Sequence, residues 1–354
     1  MVSKTVNFAG AVNDALHIAM SADPSMITYG LGINDPKRIF GTTNDLCEVF
    51  GNKRVFDMPT SENAMTGVSI GAAIGGIRSV VTHQRLDFFL LAMDQLVNSA
   101  AKWSYTYGVC VPITVRLIIG RGWGQGPTHS QNLQAWFGHI PGLKVVMPTT
   151  PYDAKGLLLA SIFDPNPVVF LEHRWLHNSI GDVPLGDYRL KIGKAKKISN
   201  GSDVTIVSMS YLTVEARKAV VLLSKVNIDC ELIDLVSIKP IDWESIKSSV
   251  RKTGKLLVLD TGYETGSVAG EIIAKIAIEN YQDLKVSPVR MAMPDVPEPA
   301  SFGLTKDLFI RYDKIIKEVC KMIGEPNHEI TKEIASVVEA VPHDVPGDWF
   351  KGPF

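Results

Sequence analysis

Residues 111–119, VPITVRLII, form one near-continuous apolar run. A strand of that kind has no face to give to water, so it belongs in a sheet covered on both sides. The rest of the chain supplies the cover. Residues 6–20 place Val12, Ala15, Leu16 and Ala19 on one helical face. Strand-like runs at 26–32, 54–57, 79–83, 143–147 and 168–171 alternate with helical patterns at 42–50, from Glu62 onward, at 87–107 and at 152–162. The pattern at 87–107 has Asp87 as its expected cap and Gly108 as its stop. After a polar passage at 178–188 the alternation starts afresh. Strands are expected at 205–209, 230–235 and 255–259, and helices at 214–223, 243–251 and 268–278. A last helix is expected at 306–323, capped by Thr305 and ended by Gly324. This order predicts an α/β protein of two domains, each a mostly parallel sheet flanked by helices. The expected boundaries are 1–185, a linker at 186–202, 203–325, and a tail at 326–354. A chain of 354 residues is long enough for two full cores.

Bulk properties narrow the function. A net charge of −1 gives no support for a nucleic-acid or membrane-surface partner. Cys47, Cys110, Cys230 and Cys320 lack metal-ligand or Cys-x-x-Cys spacing, which suits a reducing compartment. The first residues, MVSKTVNFAG, carry no apolar signal core, and the expectation is a cytoplasmic protein. No G-x-G-x-x-G follows the first strand of either half, so a nicotinamide site lacks its main support.

Three stretches could carry chemistry. In 57–89, a turn Met58-Pro59-Thr60-Ser61 precedes Glu62 in a first helical turn, followed by Gly67, Ser69, Gly71, Ala72, Ala73, Gly75 and Gly76. So little bulk makes a poor helix by propensity and predicts close approach of another backbone. A carboxylate at this position also simply favours the helix dipole. The second stretch is 120–131, GRGWGQGPTHSQ, a glycine-rich loop after the apolar strand, suited to close backbone approach to a ligand. The third is His83-Gln84-Arg85, where Arg85 could clamp a carboxylate or phosphate, or form a salt bridge facing a partner.

These motifs resemble those of the beta subunits of thiamine-diphosphate-dependent 2-oxo-acid dehydrogenases, in the transketolase group, and the resemblance runs from about residue 6 to 324. In that family a Pro-x-Ser-Glu turn carries the Glu that activates the cofactor; Pro59, Ser61 and Glu62 match it. Phe88 matches the aromatic that packs on the cofactor's pyrimidine. His129, in a loop ending His-Ser-Gln, matches the histidine that helps bind substrate and move the acyl group, while Ser130 and Gln131 shape the loop. The chemistry requires a carboxyl on the far side of the aminopyrimidine to favour its imino tautomer, and burial tunes such a carboxyl for proton exchange. The resemblance thus implies a pyrimidine-binding domain followed by a transketolase C-terminal-like domain. It also implies a 2-oxo-acid decarboxylation with acyl transfer to lipoamide or another acceptor.

The departures from the family matter too. Its diphosphate- and magnesium-binding motif, Gly-Asp-Gly with a later Asn, is absent; Gly181-Asp182-Val183 and Gly186-Asp187-Tyr188 fail it. The expected arrangement is therefore an alpha-type partner that holds the diphosphate and Mg2+, a second copy of this chain in a heterotetramer, and a lipoyl acyltransferase as a further partner. Asp164 and Asn166 lie where some family members bind a monovalent cation such as K+. The His-Gln-Arg run replaces an apolar one, which would put His83, Arg85 and His129 at a more polar substrate channel. That run and the tail GDWFKGPF favour the alternative of a split transketolase or an acyloin-type carboligase acting on a sugar. His139, His173 and His177 read as structural or interfacial, and Trp349, Phe350 and Phe354 are expected to dock on a surface or partner.

Overall fold

The computed structural model describes residues 2–324, 342–350 and 352. Its strands, in chain order, are β1 (Ser3–Asn7), β2 (Ile27–Gly30), β3 (Val55–Asp57), β4 (Ser79–His83), β5 (Ile113–Ile119), β6 (Lys144–Val146) and β7 (Val168–His173). They continue with β8 (Ile180–Pro184), β9 (Lys196–Lys197), β10 (Val204–Ser208), β11 (Cys230–Asp234), β12 (Ser237–Lys239), β13 (Leu256–Tyr263) and β14 (Val289–Met293). A seven-stranded sheet has the order β12-β6-β7-β5-β4-β2-β3, and a five-stranded one β14-β13-β10-β11-β9. Every pairing in the first is parallel except β12 on β6, and in the second except β9 on β11. All seven residues of β5 are buried, as its composition requires.

The flanking helices form where the periodicity predicts them. The Phe8–Ala22 helix buries Val12, Ala15, Leu16 and Ala19 against the Pro151–Ile162 helix. The latter opens with a capping box, in which Thr150 accepts from the Asp153 amide and Asp153 from the Thr150 amide. In the second half Asp242 caps the Trp243–Thr253 helix and Ser267 the Val268–Glu279 helix.

Four expectations need correction. The polar passage at 178–188 contains β8, which pairs antiparallel with β1 as a separate two-stranded ribbon; both strands are largely exposed, so neither shows an apolar run. β12 comes from the second half yet hydrogen-bonds to β6, so the first sheet is completed across the expected domain boundary. The helix expected at 87–107 is segmented into Leu86–Phe89, a 3-10 turn at Leu90–Ala92, a π segment at Gln95–Ala100, and Ala101–Tyr107. Asp87 is not its cap: its carboxylate accepts from Gln131 Nε2 at 2.8 Å. The last helix starts at Tyr312, and the Thr305 hydroxyl bonds back to the Phe302 carbonyl at 2.9 Å instead of capping it.

The Glu62–Ile74 helix has its small residues as read, but a side chain added at Gly71 or Gly76 would meet nothing in this chain. The expected close backbone approach is not made within the chain at those positions. No helix among the described residues is long and apolar enough to cross a membrane.

Candidate active site

The parallel strands of the first sheet deliver their following loops to one edge, the place where open α/β sheets take ligands. β3 ends at Asp57, whose carboxylate accepts from the Ile33 and Asn34 amides at 2.7 and 3.1 Å and so locks the loop after β2 beside it. Five residues later the Glu62–Ile74 helix begins. Ser61, just ahead of it, makes no side-chain cap bond. The first turn is held instead by Thr66 Oγ1 on the Glu62 carbonyl at 3.0 Å and by Tyr29 Oη on the Met65 carbonyl at 2.7 Å. Glu62 is 6% exposed, and its carboxylate has no hydrogen bond or ion pair among the described residues. The residue is nearly buried, but its carboxylate oxygens are not among the enclosed unpartnered atoms and so keep contact with solvent. A group from outside the chain would satisfy it.

The glycine-rich loop is folded on itself. Gly120 has φ +72° and lies so close to His173 that any side chain there would strike the imidazole. Gln125 organises the turn: its Oε1 accepts from the Gly122 amide at 3.0 Å and its carbonyl from Ser130 Oγ at 3.0 Å. The His129 amide bonds the Gly126 carbonyl at 3.1 Å, and its Nδ1 is 3.0 Å from Thr128 Oγ1. The imidazole meets the Phe88 ring edge to face, centroids 5.2 Å apart. Two of the sequence candidates are thereby brought together, and Gln131 on Asp87 ties the end of the loop to the Phe88 helix.

Arg85 is 3% exposed and closes the other side of this loop. Its Nη1 donates to the Gly120 carbonyl at 2.9 Å and its Nη2 to Gln125 Oε1. Burial lowers its pKa to about 10, against the charges of Asp87 and Glu298, so it stays a cation. It makes no ion pair among the described residues; the guanidinium braces the loop and lines a cavity of about 290 Å³ with Asp35, Phe40, Gln84, Phe88 and His129.

His83 is placed differently from its expected position at the substrate channel. It is 1% exposed, lies against Phe89 with ring centroids 4.9 Å apart, and is not among the residues lining that cavity. Neither ring nitrogen has a hydrogen-bond partner among the described residues, and burial pushes its pKa down to about 4. The reason is its inward position as the last residue of the fully buried β4. Asp164 and Asn166 also depart from expectation. The Asp164 carboxylate holds Lys144 Nζ at 2.5 Å and the Asn166 amide at 2.9 Å, so a lysine stands where a monovalent cation was expected.

Sequence reading missed Arg174. It is 2% exposed, with Nε and Nη1 unpartnered, and lies over the Phe40 ring at 4.1 Å and Phe350 at 5.8 Å. Its signal was only an arginine directly after an apolar strand. His173 and His177 are structural, as read: both are buried, and His177 Nε2 lies 3.3 Å from Glu172 in the buried Arg116–Glu172 pair.

These residues fit the pyrimidine half of thiamine diphosphate. They offer a carboxylate without a side-chain partner among the described residues, and an aromatic ring and a histidine that line one cavity, which Glu62 itself does not line. The two Gly-Asp pairs do not supply the other half: Asp182 accepts from Thr5 Oγ1 at 2.6 Å on a ribbon edge, and Asp187 pairs with Arg189 at 2.7 Å. No group of acidic, histidine or cysteine side chains among the described residues could hold a metal ion.

Comparison with known proteins agrees with this geometry. Residues 4–178 match the transketolase pyrimidine-binding domain and residues 193–315 the transketolase C-terminal domain. The chain is 39% identical to the pyruvate dehydrogenase E1 component subunit beta of Gracilaria tenuistipitata var. liui, covering 88% of this chain and 98% of that one. It is 39% identical to the mitochondrial 2-oxoisovalerate dehydrogenase subunit beta 2 of Arabidopsis thaliana, covering 84% of each. It is 37% identical to the acetoin:2,6-dichlorophenolindophenol oxidoreductase subunit beta of Cupriavidus necator, covering 85% and 92%. Among solved structures, a split-gene transketolase described as an inactive beta4 tetramer superimposes with a TM-score of 0.74 at 19% identity, over 91% of this chain and 100% of that one. That likeness speaks for the fold alone.

Proposed function

This chain belongs to the family of 2-oxo-acid dehydrogenase E1 beta subunits, built from the two transketolase-type domains, and from that premise we propose that it forms the pyrimidine side of a two-subunit, thiamine-diphosphate-dependent enzyme acting on a 2-oxo acid. The observation that carries the proposal is Glu62, a nearly buried residue on the ligand edge of the sheet whose carboxylate has no partner among the described residues. When bound, thiamine diphosphate supplies the nucleophilic carbon and the electron sink for cleavage next to a 2-oxo group. Glu62 exchanges a proton at its carboxylate oxygen with the aminopyrimidine nitrogen. Phe88 presents its ring to the pyrimidine and sets the His129 imidazole by edge contact. His129 serves the substrate and the departing acyl group, and Arg85 keeps the loop closed and the cavity wall cationic.

An alpha-type partner completes the site by holding the diphosphate and Mg2+, in a heterotetramer of two chains of each kind. A lipoyl acyltransferase is the acyl acceptor's carrier in this reading. The dehydrogenase and oxidoreductase names of the relatives support it over sugar carboligation. Calorimetry of thiamine diphosphate and Mg2+ against the isolated chain and the co-expressed pair tests it. Binding is expected only to the pair, which should size as a heterotetramer. Tight magnesium-dependent binding to the isolated chain would overturn the two-subunit reading.

A further inference from the structure

The glycine-rich loop starts with two residues that a glycine-rich segment would ordinarily leave free. Here both are held, and both holds lead to the C-terminal tail. The Arg121 side chain is 1% exposed; it donates to the Pro299 and Ala300 carbonyls at 3.1 and 3.4 Å and lies 3.9 Å from Glu298. Its other partner is Asp344 of the tail, at 3.4 Å and also buried. One residue further on, the Gly122 carbonyl accepts from Trp175 Nε1 at 2.8 Å. The Trp175 carbonyl in turn accepts from Trp349 Nε1 of the tail at 2.9 Å. Arg174, next to Trp175, lies over the Phe350 ring, next to Trp349.

The tail segment is itself anchored to the second half. Arg311, just ahead of the Tyr312–Ile323 helix, donates to the Pro342, His343 and Val345 carbonyls, at 2.7 Å for Val345. His343 Nε2 is 2.9 Å from the Phe302 carbonyl, and Lys218 Nζ reaches the Pro346 carbonyl at 3.4 Å. The segment thus bridges the second half of the chain to the root of a loop on the first sheet. Its apolar residues are spent on that bridge, with Trp349 and Phe350 half-buried against the core. Phe354, the third aromatic of the docking expectation, lies outside the described residues.

We propose that residues 342–350 are a strap that positions the 120–131 loop, with Asp344 and Trp349 as positioning residues for His129. The proposal rests on the reading that this loop carries His129 at the active site. Loss of the Asp344–Arg121 contact leaves a buried guanidinium with only its Pro299 and Ala300 carbonyls and the more distant Glu298, and loss of the Trp349 N–H loosens the residue that holds Gly122. The loop then opens locally while β5 beneath it stays protected, because local opening follows the few bonds that close a segment.

The test is hydrogen exchange on the assembled complex carrying Asp344→Asn, Trp349→Phe or both, with Asp348→Asn on the exposed side of the tail as control. The double variant loses one neutral hydrogen bond and the opposite charge of the Asp344–Arg121 pair. Exchange of the 120–131 amides is therefore expected to rise on the order of 10- to 100-fold. Exchange in Ile113–Ile119 should be unchanged, kcat for acyl transfer should fall with cofactor affinity retained, and Asp344→Glu should recover part of the protection. Each single variant loses one of these and shows a smaller rise, so the test survives a double variant that does not fold. Exchange of 120–131 indistinguishable from the parent would overturn the strap, and leave the assignment of Glu62 and the partner requirement untouched.

Discussion

At Glu215, in the half that holds the five-stranded sheet, a buried charge is matched. Glu215 is fully buried and accepts from Tyr211 Oη at 2.7 Å, Lys218 Nζ at 2.9 Å and the Tyr312 amide at 2.9 Å, with Arg311 at 3.4 Å. Glu231 lies between Lys197 and Lys252. At the ligand edge of the seven-stranded sheet the opposite holds. Glu62 has no partner, His83 has none at either nitrogen, and Arg174 leaves two nitrogens unmatched. Arg38, Ile39 and Phe40 beside them all have positive φ, 46°, 47° and 58°, in a region that costs L-residues energy. The second half has exceptions of its own, since Asp234 Oδ2 is buried without a hydrogen bond among the described residues and Ser210, Asn227 and Val236 also have positive φ. The contrast therefore lies between the matched Glu215 and the unmatched groups at the ligand edge, a place where such features are common.

That contrast gives one substitution two outcomes. Glu215→Gln removes the charge facing Lys218 and Arg311 and should destabilise the protein by about 3–5 kcal/mol, the usual cost of breaking a buried pair. Glu62→Gln removes a charge that nothing in the chain pairs, and should change stability by no more than about 1 kcal/mol. Paired urea melts of the two variants read this. Equal losses would erase the distinction between the regions.

Acid should separate the halves with opposite signs. Burial holds His83 and His177 down at about 4 and His173 at about 3, in the last case with the charges of His177 and Arg85 adding to it. Their folded values lie below the ordinary 6.5. The stability they contribute is therefore present above pH 6.5 and lost as pH falls toward the folded values. By pH 5 the loss is about 2 kcal/mol for each. Asp234 on β11 is pushed up to about 7 by burial and then by Asp153, so the fold holds a proton there that the unfolded chain releases. Its term improves as pH falls from 7. Hydrogen exchange at pH 7 and pH 5, corrected for intrinsic rate, should show lost protection in 79–83 and 168–177 and retained protection in 230–234. Uniform loss across both sheets would contradict the comparison.

Much of the fold was legible because its signals are local. β4 starts and stops at the residues the β-rich run names, and Gly108 and Gly324 end helices in left-handed conformation as a helix stop should. What escaped is short, polar or at an edge. β8 and β12 have no apolar run of their own and exist because another strand presents bonding groups to them. The π segment at Gln95–Ala100 is a change of hydrogen-bond register that side-chain periodicity does not encode. For the site, Glu62, Phe88 and His129 came from resemblance, while the loop itself was visible as a run of glycines. The role of Arg85 was not visible, since its acceptors lie 35 and 40 residues away in sequence. The tail's aromatics announced that they would dock; that Trp349 would reach the Trp175 carbonyl depends on a contact 174 residues apart.

The most direct test of the Glu62 assignment is the exchange of the thiazolium proton for deuterium in the cofactor-loaded complex, parent against Glu62→Gln. The step precedes any substrate, so it does not depend on which 2-oxo acid is used, and the diphosphate anchor in the partner keeps the cofactor bound. Loss of general acid–base help predicts exchange slower by about 10²–10⁴ in the variant, with assembly and cofactor binding retained. Exchange at the parent rate in a loaded, assembled Gln variant would contradict the assignment of Glu62.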